Sequence, residues 1–180
     1  MPLGIDSYAT PTQCLLTFLV RSGIFISLDL GGVMMASALD VAQYILDQQG
    51  PMTTMKMQKL VYYCQAWSLV WDGKPIFSED IQAWASGPVV RELYQAHKGA
   101  FLIDRLQGAN VENLSTEARE TTDAVLRAYG DKSPQWLIDL THKETPWNEA
   151  RQGLPDGQNS ENEITLASMS KYYDSLLPSQ

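Results

Sequence analysis

The sequence has few of the residues that build metal centres and disulfide frameworks. Its 180 residues include only two cysteines, Cys14 and Cys64, and two histidines, His97 and His142. Zinc sites and disulfide scaffolds use such residues at short, paired spacings, and no CxxC pair is present. We therefore expect no metal, no cofactor and a reduced, cytoplasmic protein in which Cys64 is a small buried apolar residue.

Long uninterrupted apolar runs are also missing. The strongest are residues 15–20 and 24–30, which Arg21 and Asp29 interrupt. A membrane span needs roughly 20 apolar residues in succession, and a signal peptide carries positive charge ahead of its apolar run. Neither condition is met here, so the sequence predicts a protein without a membrane partner.

The composition changes at Met34 and Met35, where a regular helical pattern begins. We expect residues 1–34 to be an optional or untranslated leader, with translation starting at one of these two methionines. Residues 35–180 then form one domain. The intact mass of the protein from its native host tests this expectation, and a mass that includes residues 1–33 contradicts it.

Positive charge is scarce, because 13 lysine and arginine residues stand against 21 aspartate and glutamate residues, for a formal net charge of −8. Nucleic-acid-binding domains carry a basic patch, and the predicted helix at residues 88–97 offers little beyond Arg91. Gly31-Gly32 lacks the following lysine of a phosphate-binding loop. We expect no nucleic-acid partner, and the acidic balance is more compatible with a basic protein.

Helical periodicity is the most frequent pattern in this sequence. Several stretches begin with a serine or threonine suited to an N-cap and continue with apolar residues three and four positions apart. Glycines follow the ends of these stretches, as helix stops do. The pattern predicts a mainly α, single compact domain of about five to seven helices with a minor short β element. The N-cap candidates are Ser37, Thr53 or Thr54, Ser115 and Ser133.

The helix predicted from Thr53 to Asp72 is apolar on two sides, which is typical of a central helix packed between neighbours. Less regular stretches predict a short strand at 81–85, a helix at 88–97 with Pro88 in its first turn, and a mobile loop at 151–163. The C-terminal part predicts a brief strand at residues 164–166 and a closing helix at 168–177.

Evidence for catalysis is weak. His142 and Glu144 are close in sequence, but nothing in the pattern brings a nucleophile to them. We predict no catalytic residue, and His142 is more simply a turn residue that bonds its own backbone. An enzyme with a site centred on His142 remains an alternative.

Three stretches resemble, in order, the motifs of the Panacea domain family of SocA-like antitoxins and GepA-like phage-associated proteins. The first motif is MKMQKLVYYCQAW at residues 55–67. The second runs over residues 72–89 and contains DGKPIF and IQAWASGPV, and the third is LTHKETPW at residues 140–147. The resemblance extends from about Ala36 to Leu177.

This resemblance implies an antitoxin that neutralises a cognate protein toxin by direct binding, the toxin being encoded next door. An alternative is a proteolytic adaptor, whose second partner is a protease, or a phage-associated accessory protein that binds without neutralising. The resemblance makes its motif residues candidates for the fold or for the interface, and not for catalysis.

Two features direct the choice of partner-binding candidates. Lys56, Lys59 and Tyr63 are spaced to share one helix face and would form a recognition stripe. Trp84 lies in an extended segment beside a rigid glycine–proline corner, and tryptophan is a frequent interface anchor. The full set of predicted partner-binding residues is Lys56, Lys59, Tyr63, Trp84, Gly87, Pro88, Arg91, His142 and Trp147.

Overall fold

The computed structural model describes residues 35–155 and 157–178, so the predicted leader lies outside the described residues. The described part is mainly α with a minor β component, which confirms the predicted fold class. Its helices are α1 (Ala38–Gln49), α2 (Thr54–Trp71), α3 (Arg91–His97), α4 (Thr116–Tyr129), α5 (Pro134–Thr141), α6 (Thr145–Arg151) and α7 (Leu166–Asp174). Its strands are β1 (Met52–Thr53), β2 (Ile81–Trp84), β3 (Gly87–Val90) and β4 (Leu102–Ile103), and a 3-10 turn spans Val111–Asn113.

The predicted helix starts are confirmed because capping is a local interaction. Ser37, Thr53, Ser115 and Ser133 each accept a hydrogen bond from the backbone N–H three residues ahead. At α1 the Asp40 carboxylate returns the bond to the Ser37 N–H at 2.8 Å, which completes a capping box.

Helix α2 is the centre of the domain, as its two-sided apolar pattern predicts. Residues 57–68 are all buried, and the helix packs against α1, α4, α5, α7 and β3. Because every side of α2 is covered, its polar side chains have to find partners inside the protein. Those partners define the candidate site described below.

Strands β2 and β3 form an antiparallel hairpin in which Ile81 pairs with Val90 and Trp84 with Gly87. The strand at 81–85 is therefore confirmed, whereas the helix predicted at 88–97 is wrong over its first three residues. Pro88 lies in β3 and α3 starts at Arg91.

Proline is tolerated in β3 because of where its neighbours' hydrogen bonds point. Ala83, which pairs with Pro88, donates its N–H to the Asn162 carbonyl at 2.8 Å and accepts from Arg151 at 3.1 Å. Both bonds leave β2 on the side away from β3. The pair Ala83–Pro88 is therefore a non-hydrogen-bonded one, and the missing proline N–H costs the ladder nothing.

An extended segment runs along the other edge of β2. Ile164 donates its N–H to the Ile81 carbonyl at 2.7 Å, and Gln82 forms an isolated bridge with Glu163. The predicted strand at residues 164–166 is thus displaced towards residues 162–164, since Leu166 already begins α7. The predicted closing helix likewise starts earlier and ends at Asp174.

No helix within residues 35–155 and 157–178 combines the length and the apolar character that a membrane span requires. Over the same residues there is no group of three or more histidine, cysteine, aspartate or glutamate side chains placed to hold a metal ion. Cys64 is buried, and burial raises the pKa of its thiol to about 12.

Candidate functional site

The three motifs meet in the interior, around the side chain of Lys59. This lysine, on α2, is 0% exposed and donates from Nζ to the Pro88 carbonyl of β3 at 3.0 Å. Burial lowers the pKa of its ammonium group to about 7, because the charged form loses its hydration. Thr141, at the end of α5, places its Oγ1 beside Gly87 in the same region as the Lys59 side chain.

Gly87 allows this close approach. Its φ is +101°, a region that side chains disfavour, and a Cβ at this position would lie 2.6 Å from Lys59 Cε and 2.9 Å from Thr141 Oγ1. Glycine is therefore required twice, once for its backbone conformation and once for space. The glycine–proline corner is an internal contact between the first and second motifs.

A buried carboxyl group connects the first motif to the third and to α7. Glu144, just before α6, is 4% exposed, and it accepts hydrogen bonds from the Tyr63 hydroxyl at 3.2 Å and the Tyr173 hydroxyl at 2.8 Å. Burial raises the pKa of Glu144 to about 8, although the two hydroxyl donors offset part of the effect. One side chain thus joins α2, α6 and α7.

Aromatic rings enclose this carboxyl group. Tyr63 stacks on Tyr129 with ring centroids 4.4 Å apart, and Trp67 donates from Nε1 to the Tyr129 hydroxyl at 3.2 Å. Tyr173 meets the Tyr62 and Trp67 rings edge-on. Burial raises the pKa of the Tyr62, Tyr63 and Tyr173 hydroxyls, so they stay protonated and able to donate.

Trp147 of the third motif fastens α6 to the hairpin. Its Nε1 donates to the Trp84 carbonyl at 3.0 Å, and its ring contacts the side chains of His142 and Arg151. The His142 ring stacks on the Trp147 ring with their centroids 4.0 Å apart. The Arg151 guanidinium lies 4.8 Å from the centroid of the Trp147 ring. The turn predicted for the third motif is therefore a packed corner.

Arg151 organises the polar segment that follows α6. The side chain is buried and donates to the carbonyls of Ala83 at 3.1 Å, Pro155 at 2.9 Å and Gln158 at 2.8 Å. Planar guanidinium groups suit such multiple recognition of carbonyl oxygens. The segment predicted as a mobile loop at 151–163 is thus fastened at several points to the hairpin side of the domain.

Two glutamines of the first motif complete the connections from α2. Gln65 accepts from the Ile76 N–H at 2.9 Å and donates to the Phe77 carbonyl at 2.8 Å. These two bonds fix the DGKPIF part of the second motif against α2. Gln58 accepts from the Val90 N–H at 2.8 Å and lies 3.0 Å from Nε2 of His97. Each side-chain amide thus forms hydrogen bonds with backbone groups that have no partner within a helix or a sheet.

This arrangement buries some of the predicted partner-binding residues and leaves others partly or fully exposed. The expectation that Lys56, Lys59 and Tyr63 form an exposed stripe is wrong, because Lys59 and Tyr63 lie in the interior. Lys56 is half-buried and donates to the carbonyl of Gly130 at 2.6 Å, at the C-terminal end of α4. Gly87, Pro88 and Trp147 are also buried, while Trp84 and His142 are half-buried and Arg91 is exposed.

Sequence reasoning did not single out Thr141 within the third motif, and it missed Arg151 and Tyr173 of this network altogether. They belong to polar or weakly patterned stretches, and their partners are distant along the chain. One signal was present: Gln58, Lys59 and Gln65 interrupt a helix that is otherwise apolar on two sides. Polar residues at such positions have to be paired internally.

The interior position of these groups limits their chemistry. Lys59 is fully buried and Glu144 nearly so, and a substrate would reach either one only after the packed elements had separated. In the described conformation the network therefore acts by holding the motifs together.

No curated protein and no solved structure matches the chain. A family model described as antitoxin SocA-like, Panacea domain, matches residues 57–148, just over half of the sequence. The matched range contains Lys59, Gly87, Glu144 and Trp147, around which the network is built. This chain therefore belongs to the SocA-like antitoxin, Panacea domain family.

Proposed function

We propose that the chain is the antitoxin of a toxin–antitoxin pair and neutralises a cognate protein toxin in the cytoplasm by direct binding. Family membership over residues 57–148 is the observation that carries this proposal. The burial of the motif side chains supports a role that depends on the outer surface of a firmly connected domain. A binding protein needs such a pre-organised surface, since ordering on contact lowers affinity.

Among the predicted contact residues, Trp84, Arg91 and His142 remain available at the surface of the hairpin region. Trp84 is half-buried and meets the Tyr94 ring edge-on at 4.8 Å, so its position is fixed before a partner arrives. Fixed, partly exposed aromatic and arginine side chains are frequent interface anchors. We include these three residues in the proposed contact surface.

Co-expression with the adjacent open reading frame tests the proposal. Expression of the neighbour alone should stop growth, the present chain should restore it, and the two proteins should copurify. Rescue has to persist in cells that lack the candidate protease. If growth is restored only when that protease is present and the toxin disappears, the chain is a proteolytic adaptor instead.

Variants separate contact residues from residues that only stabilise the fold. Trp84→Ala should weaken the complex while the melting temperature stays close to that of Trp136→Ala, a half-buried tryptophan outside the three motifs. His142→Ala addresses the enzyme alternative. A His142→Ala protein that stays folded and bound to its partner but loses function would favour catalysis.

A further inference from the structure

Two adjacent apolar side chains are exposed at the start of β4, Phe101 just before the strand and Leu102 within it. Phe101 is 79% exposed and Leu102 is 59% exposed. Among the described residues the other large hydrophobic side chains with high exposure are Met35 at 55% and Leu166 at 40%, each at a separate place in the chain. Neighbouring exposed apolar side chains are a common mark of a binding surface.

The backbone beneath these two side chains is held in place. Thr53 of β1 pairs with Leu102, Met52 pairs with the buried Ile103, and Thr54 donates its N–H to the Phe101 carbonyl at 3.1 Å. Phe101 and Leu102 are therefore exposed on a stretch of backbone that hydrogen bonds and strand pairing hold in place. Within the described residues this sheet consists of β1 and β4. The edge of such a small sheet can pair with an extended segment of another protein.

A groove lies between α1 and the segment that follows β4. It is lined by Gln43 and Asp47 of α1 and by residues 104–111, beginning with Asp104 and Arg105. Gln43 accepts from the Leu106 N–H at 2.8 Å and donates to Asp47 at 2.8 Å, which fixes the wall. Two carboxylates and one guanidinium thus line the groove, and Asp104 and Arg105 follow the apolar pair closely along the chain.

We propose that Phe101, Leu102 and the adjoining groove receive an extended segment of the toxin that combines apolar and basic side chains. The inference rests on the proposed function and names its contact surface. Charge selects this occupant over a second copy of the chain, because two molecules of net charge −8 repel each other while a basic partner is attracted. The apolar pair would contact the apolar side chains of the segment, and the carboxylates would attract its basic side chains.

The test uses the full chain and a toxin that the wild-type chain neutralises. Phe101→Ser and Leu102→Ser should each weaken the measured affinity by roughly 30-fold, as hot-spot truncation does. The control is Leu166→Ser, an exposed leucine elsewhere, which should leave affinity unchanged. Since both side chains face solvent, melting temperatures should not fall.

A second pair of variants tests the charge. Asp47→Lys and Asp104→Lys should slow association with a basic toxin, and the loss should shrink at high salt. Unchanged affinity in Phe101→Ser and Leu102→Ser, with wild-type binding intact, overturns this inference and leaves the proposed function standing. A wild-type chain that binds no neighbouring product removes both. A dimer of the free chain that Phe101→Ser converts to a monomer would show that the surface serves self-association.

Discussion

At the scale of single residues, Lys59 and Glu144 are ionisable groups that the domain buries without pairing them to each other. Lys59 donates to a backbone carbonyl, and Glu144 accepts from two tyrosine hydroxyls. Burial shifts the pKa of the first down to about 7 and of the second up to about 8, so both shifts favour the neutral forms. Neutral forms are cheaper to bury than charges, which explains how a tightly packed interior accommodates them.

Gly87→Ala should destabilise the fold strongly. The substitution adds backbone strain of roughly 1 to 3 kcal/mol at a positive φ and also pushes against Lys59 and Thr141. Gly99→Ala is the matched control, since its φ is +87° and nothing lies within 4 Å of the added Cβ. Chemical denaturation should give a clearly larger loss for Gly87→Ala, and equal losses for the two variants would contradict the steric argument.

Glu144→Gln should change how stability depends on pH. The folded-state pKa of Glu144 is raised from 4.5 to about 8, so its contribution is fully present below pH 4.5 and is lost as pH rises towards 8. The wild type should therefore lose stability relative to Glu144→Gln over this window, at no more than about 1.4 kcal/mol per pH unit. Denaturation at several pH values measures the difference, with exposed Glu149→Gln as control. A difference that does not vary with pH would show that Glu144 is ionised in the fold.

At the scale of elements, the sequence predicts what local interactions determine. Ser37, Ser115 and Ser133 start helices as expected because a cap depends on residues three positions apart. Pro88 was misplaced because its strand forms through pairing with β2, which no local pattern around a glycine–proline pair shows. The burial of Lys59 escaped prediction for a related reason: the carbonyl that satisfies it belongs to that same misassigned strand.

The segment after α6 gives the element-scale prediction. Arg151→Lys keeps the charge but removes the planar fork that reaches three carbonyls, so stability should fall by about 2 to 3 kcal/mol. Residues 152–163 should become more accessible to limited proteolysis. Arg91→Lys, at an exposed arginine, is the control. Cleavage at the wild-type rate in Arg151→Lys would mean that other contacts hold the segment.

At the scale of the whole molecule, a central helix connects three motifs in the interior, and the contacts that we propose for a partner lie at the periphery. That division explains why part of the candidate site was predictable and part was not. The motif residues are identified from the sequence, whereas Phe101 and Leu102 lie outside the three motifs. Their exposure depends on how β4 docks on β1, which is a property of the assembled fold.

The net charge of −8 gives a prediction for the complex as a whole. If the toxin is basic, its association rate should fall about tenfold or more as ionic strength rises through the physiological range, since steering is screened. Glu117→Lys with Glu120→Lys, at exposed positions of α4, should reduce both the rate and its salt dependence. A rate that is insensitive to salt would show that charge plays no part in capture.

The enclosure of Lys59 makes it a natural reporter of internal opening. The sequence has seven lysines, and the other six are half-buried or exposed, so an amine-reactive reagent should modify Lys59 last. Its rate of modification, followed by mass spectrometry, then measures how often α2 and the hairpin separate. A partner that binds only the outer surface should leave the modification rate of Lys59 unchanged or lower it. A partner that separates α2 from the hairpin should raise this rate.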